Sequence, residues 1–176
     1  MLKKMIAISI IFISSISAAF ALRIYVKPTF SYLSTSISNA PSLVYAPGIA
    51  AGLGQVFNRY FYVGGEVFWI PNTVPVNSNT NSFKITYQYG ISLLPGIAFD
   101  NTLLGYLRLG MLRSNFPNLN TIASASQIGV GLEYSLSPTW SANGEYDYAR
   151  YRSSTTSVST ATTDQFTIGV MYKFNL

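Results

Sequence analysis

The chain contains no cysteine and no histidine. Without Cys there is no disulfide framework and no thiolate metal site. Without His the commonest general base and the commonest metal ligand are gone, and a Ser–His nucleophile pair is excluded. Charge is scarce as well: Asp, Glu, Lys and Arg make up 10% of the 176 residues, against roughly 25% in an ordinary soluble domain. So few charges cannot easily cover a soluble surface. Beyond its N-terminus the chain also lacks the run of ~20 apolar residues that a helical membrane protein needs. What it has in plenty is aromatic side chains, with 13 Tyr and 11 Phe. Its length suits one domain.

The N-terminus reads as a targeting segment. Lys3 and Lys4 precede an apolar stretch from Met5 to about Ser17, and Ala19 and Ala21 give the small-x-small pattern of a signal-peptidase site. The expected organisation is a signal peptide over residues 1–21 and one barrel domain over 22–176, exported from a bacterial cytoplasm. Loss of the two lysines takes the formal charge from +5 to +3. The basic balance is then partly a property of the leader, and a nucleic-acid partner loses its main support.

The rest of the chain alternates. From Phe166 the even positions are Phe166, Ile168, Val170, Tyr172, Phe174 and Leu176, and small or polar residues lie between them. This is the period of a strand with its bulk on one face. Residues 83–99 place Phe83, Ile85, Tyr87, Tyr89, Ile91, Leu93, Ile97 and Phe99 on one face, and residues 128–136 repeat the pattern. Segments near 23–35, 43–57, 60–70, 102–113 and 140–152 complete eight strands. Tight links are expected at Asn58–Tyr60, Asp100–Asn101 and Ser137–Thr139, and longer polar links at about 36–42, 72–82, 114–122 and 153–163. Short and long links on alternating sides describe an up-and-down meander. The predicted fold is all-β: an eight-stranded antiparallel transmembrane barrel with a polar interior.

The two faces set the orientation. One carries rings and branched chains on nearly every strand. The other carries Gly, Ala, Ser, Thr and most of the charges, which suits the narrow interior of an eight-stranded barrel. Parity places Lys27, Lys84, Arg108 and Lys173 inside, together with Glu66, Glu133, Glu145 and Asp147. Four cations and four anions match what a buried polar core requires, because buried charges must be paired. Asp100 falls in a turn and Asp164 at the edge of the last link, which leaves no carboxylate facing lipid. Arg113, Arg150 and Arg152 fall near strand ends on the long-link side, where they would form either a rim of snorkelling cations or a weak contact with the phosphates of lipopolysaccharide, to which Arg is suited. Phe57, Phe61, Phe99, Tyr134, Trp140 and Phe174 are expected in one aromatic belt, and Tyr32, Tyr45, Trp69, Phe83, Tyr148 and Phe166 in the other.

GVGLEYSLSPTWSANGEYDY, from Gly129 to Tyr148, resembles the strand-turn-strand of small outer-membrane barrels of the OmpA/opacity-protein type. YLRLGMLRS, from Tyr106 to Ser114, is similar to that family's fifth strand, with Arg108 at its inward Arg. Val170, Tyr172, Phe174 and Leu176 resemble the C-terminal signal read by the barrel-assembly machinery, with Leu where the family usually has Phe. The resemblance implies a non-enzymatic, monomeric barrel of the bacterial outer membrane. It would act structurally, or as an antigen touching a host-surface molecule through four long loops, and would need no cofactor or metal. The alternatives are a small-conductance pore and a soluble periplasmic barrel holding an apolar ligand.

Overall fold

The computed structural model describes residues 22–37, 40–75, 85–117, 121–152 and 161–174. The proposed leader, Phe83, Lys84 and Leu176 lie outside them. Among the described residues there are eight long antiparallel strands and one short one: β1 (Arg23–Ile37), β2 (Ala40–Phe57), β3 (Phe61–Ile70), β4 (Val74–Pro75), β5 (Gln88–Ala98), β6 (Leu103–Phe116), β7 (Thr121–Ser135), β8 (Trp140–Arg152) and β9 (Thr162–Phe174). Each long strand pairs with its neighbours in chain order. β1 pairs with β2 on one side and with β9 on the other, and this closes the sheet into a barrel. Closure removes both sheet edges, the condition for strands to cross lipid.

The tight links are formed by local chemistry. At Asn58–Arg59 both residues have positive φ, 49° and 66°, and Tyr60 N–H donates to the Phe57 carbonyl. This is the handedness that matches the twist of a hairpin. At the next turn Asp100 Oδ1 accepts from Thr102 N–H, Thr102 Oγ1 and Leu103 N–H at 2.6, 2.7 and 2.6 Å. At the third, Ser137 Oγ accepts from Trp140 N–H at 3.0 Å.

The links on the opposite side differ from the sequence expectation. The β1–β2 ladder continues to Ile37↔Ala40, so the first link is residues 38–39 rather than 36–42. β6 and β7 pair as far as Phe116↔Thr121, so the third link is 117–120 and β7 starts seven residues before 128. The Ser- and Thr-rich ends read as loops by polarity, but each carries backbone groups that an antiparallel partner satisfies. β9 likewise starts at Thr162 rather than Phe166. Only the links after β3 and β8 remain long. β4 lies in the first of these and pairs with Val44 and Tyr45, where β2 has outrun β3.

β5 begins at Gln88 instead of residue 83. Residues 85–87 are irregular, and Ile85 turns inward and is buried, contrary to its expected place on the lipid face. Its carbonyl accepts from Thr73 Oγ1, and Thr86 N–H donates to the Asn115 carbonyl. These bonds break the period-2 pattern at the strand entry.

The outer wall is apolar. Ile91, Val130, Leu132 and Ile168 are all more than half exposed at its waist. Phe61, Phe99, Tyr134, Trp140 and Phe174 ring the tight-turn end, and Tyr45, Trp69, Tyr148 and Phe166 the other. A charged outer shell is what a water-soluble barrel requires, and this wall has the inverse arrangement.

Candidate functional site

The distinctive chemistry lies at mid-height inside the barrel. Lys27 on β1, Glu66 on β3, Arg108 on β6 and Glu145 on β8 point to one centre, because each occupies an inward parity position at matching height. Lys27 Nζ bridges Glu66 Oε2 at 2.8 Å and Glu145 Oε1 at 2.5 Å. Arg108 Nη2 bridges Glu66 Oε1 and Glu145 Oε2, both at 2.5 Å, while its Nε donates to Glu145 Oε2 at 2.8 Å. Two cations and two carboxylates thus form a closed cycle, every member at most 4% exposed. Asp147 sits beside it, with Oδ1 at 3.5 Å from Arg108 Nε. The Arg108 guanidinium also lies over the Phe68 ring, 5.9 Å from its centroid.

A shell of neutral donors completes the cluster. Tyr25 OH donates to Glu66 Oε2 at 2.8 Å, Tyr106 OH to Glu145 Oε1 at 2.8 Å, and Asn143 Nδ2 to the same oxygen at 2.6 Å. Arg108 Nη1 donates to Ser92 Oγ at 3.0 Å. Sequence reading missed Tyr25, Tyr106 and Asn143 as members. The signal was present: each lies two positions before a charged residue and shares its face.

Lys173 and Glu133 form a separate pair at 2.8 Å nearer the tight turns, and Lys173 also donates to Ser135 Oγ at 3.0 Å. Seven of the eight expected interior charges are therefore buried and paired within the barrel, in two groups. The eighth, Lys84, is outside the described residues.

The interior is not polar throughout. Tyr62, Leu94, Ala98, Leu104 and Tyr106 pack below the charged layer. Ile85, Leu112, Phe116, Tyr151 and four alanines pack above it, and Leu33, Val44, Ala46 and Ile70 form a separate apolar cluster on that side. Phe116 and Tyr151 meet edge to face at 5.2 Å. The expectation of small and polar residues alone understated these rings. They fit because inward glycines leave room: a Cβ on Gly131 would come within 2.4 Å of the Tyr106 ring, and one on Gly52 within 2.4 Å of Tyr25 OH. The cavity left beside the ion cluster is about 20 Å³, room for about one water. Among the described residues no cluster of three or more acidic side chains is placed to hold a metal ion.

On the outer wall Arg113, Arg150 and Arg152 are exposed on β6 and β8. Asp164 departs from its expected place at a loop edge. It lies on the outer face of β9 and accepts from Tyr146 OH at 2.6 Å. Val170 and Phe174 face outward with Tyr172 half-buried between them, and Tyr172 packs edge to face on Trp140 and on Phe174.

A closed barrel with an apolar wall, aromatic rims and buried ion pairs is the geometry of a membrane-spanning β-protein, and comparison with known proteins agrees. The model of the outer membrane protein beta-barrel domain matches residues 5–174. The chain belongs to that family. This outer-membrane barrel is similar in fold to Ail, the attachment invasion locus protein of Yersinia pestis, solved with the heparin analogue sucrose octasulfate. The TM-score is 0.60 at 12% identity, covering 88% of this chain and 99% of Ail. It is also similar to Neisserial surface protein A, with a TM-score of 0.58 at 17% identity over 86% and 97% of the two chains. No curated protein matches in sequence. Family membership places the barrel in the bacterial outer membrane, which overturns the soluble periplasmic alternative.

Proposed function

We propose that this outer-membrane barrel is a non-enzymatic surface scaffold, exported by a cleaved leader over residues 1–21 and inserted through its C-terminal strand. Its contacts with a host surface would be made at the long-link rim. The observation that carries this reading is the filled interior. Apolar clusters pack on both sides of the charged layer, the charges between them are paired, and the cavity beside them is about 20 Å³, so chemistry with the outside falls to the rim and the wall. Ail, of similar fold, is described as an attachment protein and was solved with a heparin analogue, which supports a host-polyanion partner. The four expected loops reduce to two long links, and the one after β8 is the first to test. Its deletion must stop short of Ala161, which is buried and accepts from Tyr151 N–H at 3.0 Å. Cells carrying a deletion of 154–159 should bind immobilised heparin and matrix proteins less well than cells with the intact barrel at equal surface level. Unchanged binding removes that link from the proposal.

A further inference from the structure

The outer wall holds a groove of about 780 Å³ across β2, β3, β5, β6, β7 and β8, on the long-link half of the barrel. Strand register orders its upper wall. One row reads Ile49, Trp69, Tyr89, Arg113, Ser124, Arg152, each residue directly opposite the next. The row toward the tight turns reads Ala51, Val67, Ile91, Met111, Ser126, Arg150. The groove is apolar along β2, β3 and β5 and becomes cationic and hydroxylated at β6 to β8.

We propose that this groove is a binding site for lipopolysaccharide, with phosphate held by Arg113 and Arg152 over Ser124 and an acyl chain laid along the apolar half. Arg113 and Arg152 stand two strand spacings apart, roughly 10 Å. The small, exposed Ser124 stands between them in register, with Arg113 on one neighbouring strand and Arg152 on the other, and its hydroxyl supplies a further donor. Arg150 adds a third cation one row down. Among the described residues, none of the three has a carboxylate within ion-pair distance. Arginine holds phosphate through paired donors, so an unpaired cluster of this kind is a phosphate seat. Three uncompensated cations call for more than one negative charge. A headgroup with several phosphates and no ammonium supplies this, and a zwitterionic phospholipid does not. The seat also faces the outer leaflet, because short turns are periplasmic and longer links extracellular in such barrels.

The inference rests on the membrane orientation adopted above but not on any host contact, so failure of the 154–159 deletion leaves it standing. The test uses the refolded barrel in detergent micelles, titrated with lipopolysaccharide, with enzymatically dephosphorylated lipopolysaccharide and with phosphatidylglycerol. Affinity and thermal transition are both read. Arg113→Gln/Arg152→Gln should weaken lipopolysaccharide binding at least tenfold and abolish the ligand-dependent rise in melting temperature. Arg23→Gln/Arg59→Gln, at the opposite rim, should leave both intact. Ser124→Phe keeps the charges but fills the seat, and should weaken binding similarly. Equal binding by the Arg113/Arg152 variant, by the dephosphorylated ligand or by phosphatidylglycerol overturns the site, the last by showing a generic anionic surface.

Discussion

Individual side chains show how tightly the interior is interlocked. Glu145 joins Lys27, Arg108, Tyr106 and Asn143 through its two oxygens. Glu145→Ala leaves two buried cations sharing Glu66 and should cost about 3–5 kcal/mol, read as a lower thermal transition of the refolded protein. An unmoved transition would mean that the cluster is not a structural unit. The glycines are the other half of the design. Gly131 has no room for a side chain beside Tyr106, so Gly131→Val should cost about 1–3 kcal/mol by overpacking. Measured in a Tyr106→Ala background the cost should shrink, because residues in contact are not additive. Equal costs in the two backgrounds would place the strain elsewhere.

At the scale of elements, the turns hold the testable features. Arg59 sits at φ 66° without the freedom of glycine. Arg59→Gly gives the turn the residue pair that its handedness prefers and should stabilise by about 1 kcal/mol, seen as slower unfolding in urea. Asp100 is a pH-dependent element. Hydrogen bonds from the Thr102 side chain, then from the Thr102 and Leu103 amides, hold its carboxyl below the ordinary value. A carboxyl depressed on folding contributes stability above its unfolded pKa of about 3.9 and loses it as pH falls through the lower folded value. Asp100→Ala should therefore lower the melting temperature at pH 6, and the gap from the parent should close below about pH 4. A gap that persists in acid would show that the turn depends on shape rather than on charge.

For the whole molecule, closure and filling have separate consequences. A closed barrel should resist detergent until heated, so boiled and unboiled samples of the outer-membrane fraction should migrate differently on a gel; equal migration would argue against a closed barrel. A filled lumen should pass no steady current in a planar bilayer. Sustained conductance would mean that the apolar packing at both ends opens in the membrane, and would revive the pore alternative.

Much of this was legible from the chain, and the limits have physical causes. Period 2 is a local property, so strand identity, face and the aromatic rims followed from residues such as Phe166 to Phe174 read in order. The inward charges followed from the same parity. The sequence also determined the orientation of the wall, because a chain with so few charges has only its apolar face to offer its surroundings. Polarity misled at the strand ends: Ser36 and Ser114 looked like loop residues, yet they stay in the ladder because a partner strand was there to satisfy their backbone. Ile85 left the lipid face because the bond from Thr73 Oγ1 to its carbonyl and the bond from the following Thr86 N–H to the Asn115 carbonyl broke its strand. Which charges meet was decided only by the tertiary structure. Lys27 and Glu145 are 118 residues apart in sequence, and their 2.5 Å contact exists because closing β1 onto β9 fixes the register of every strand around the ring.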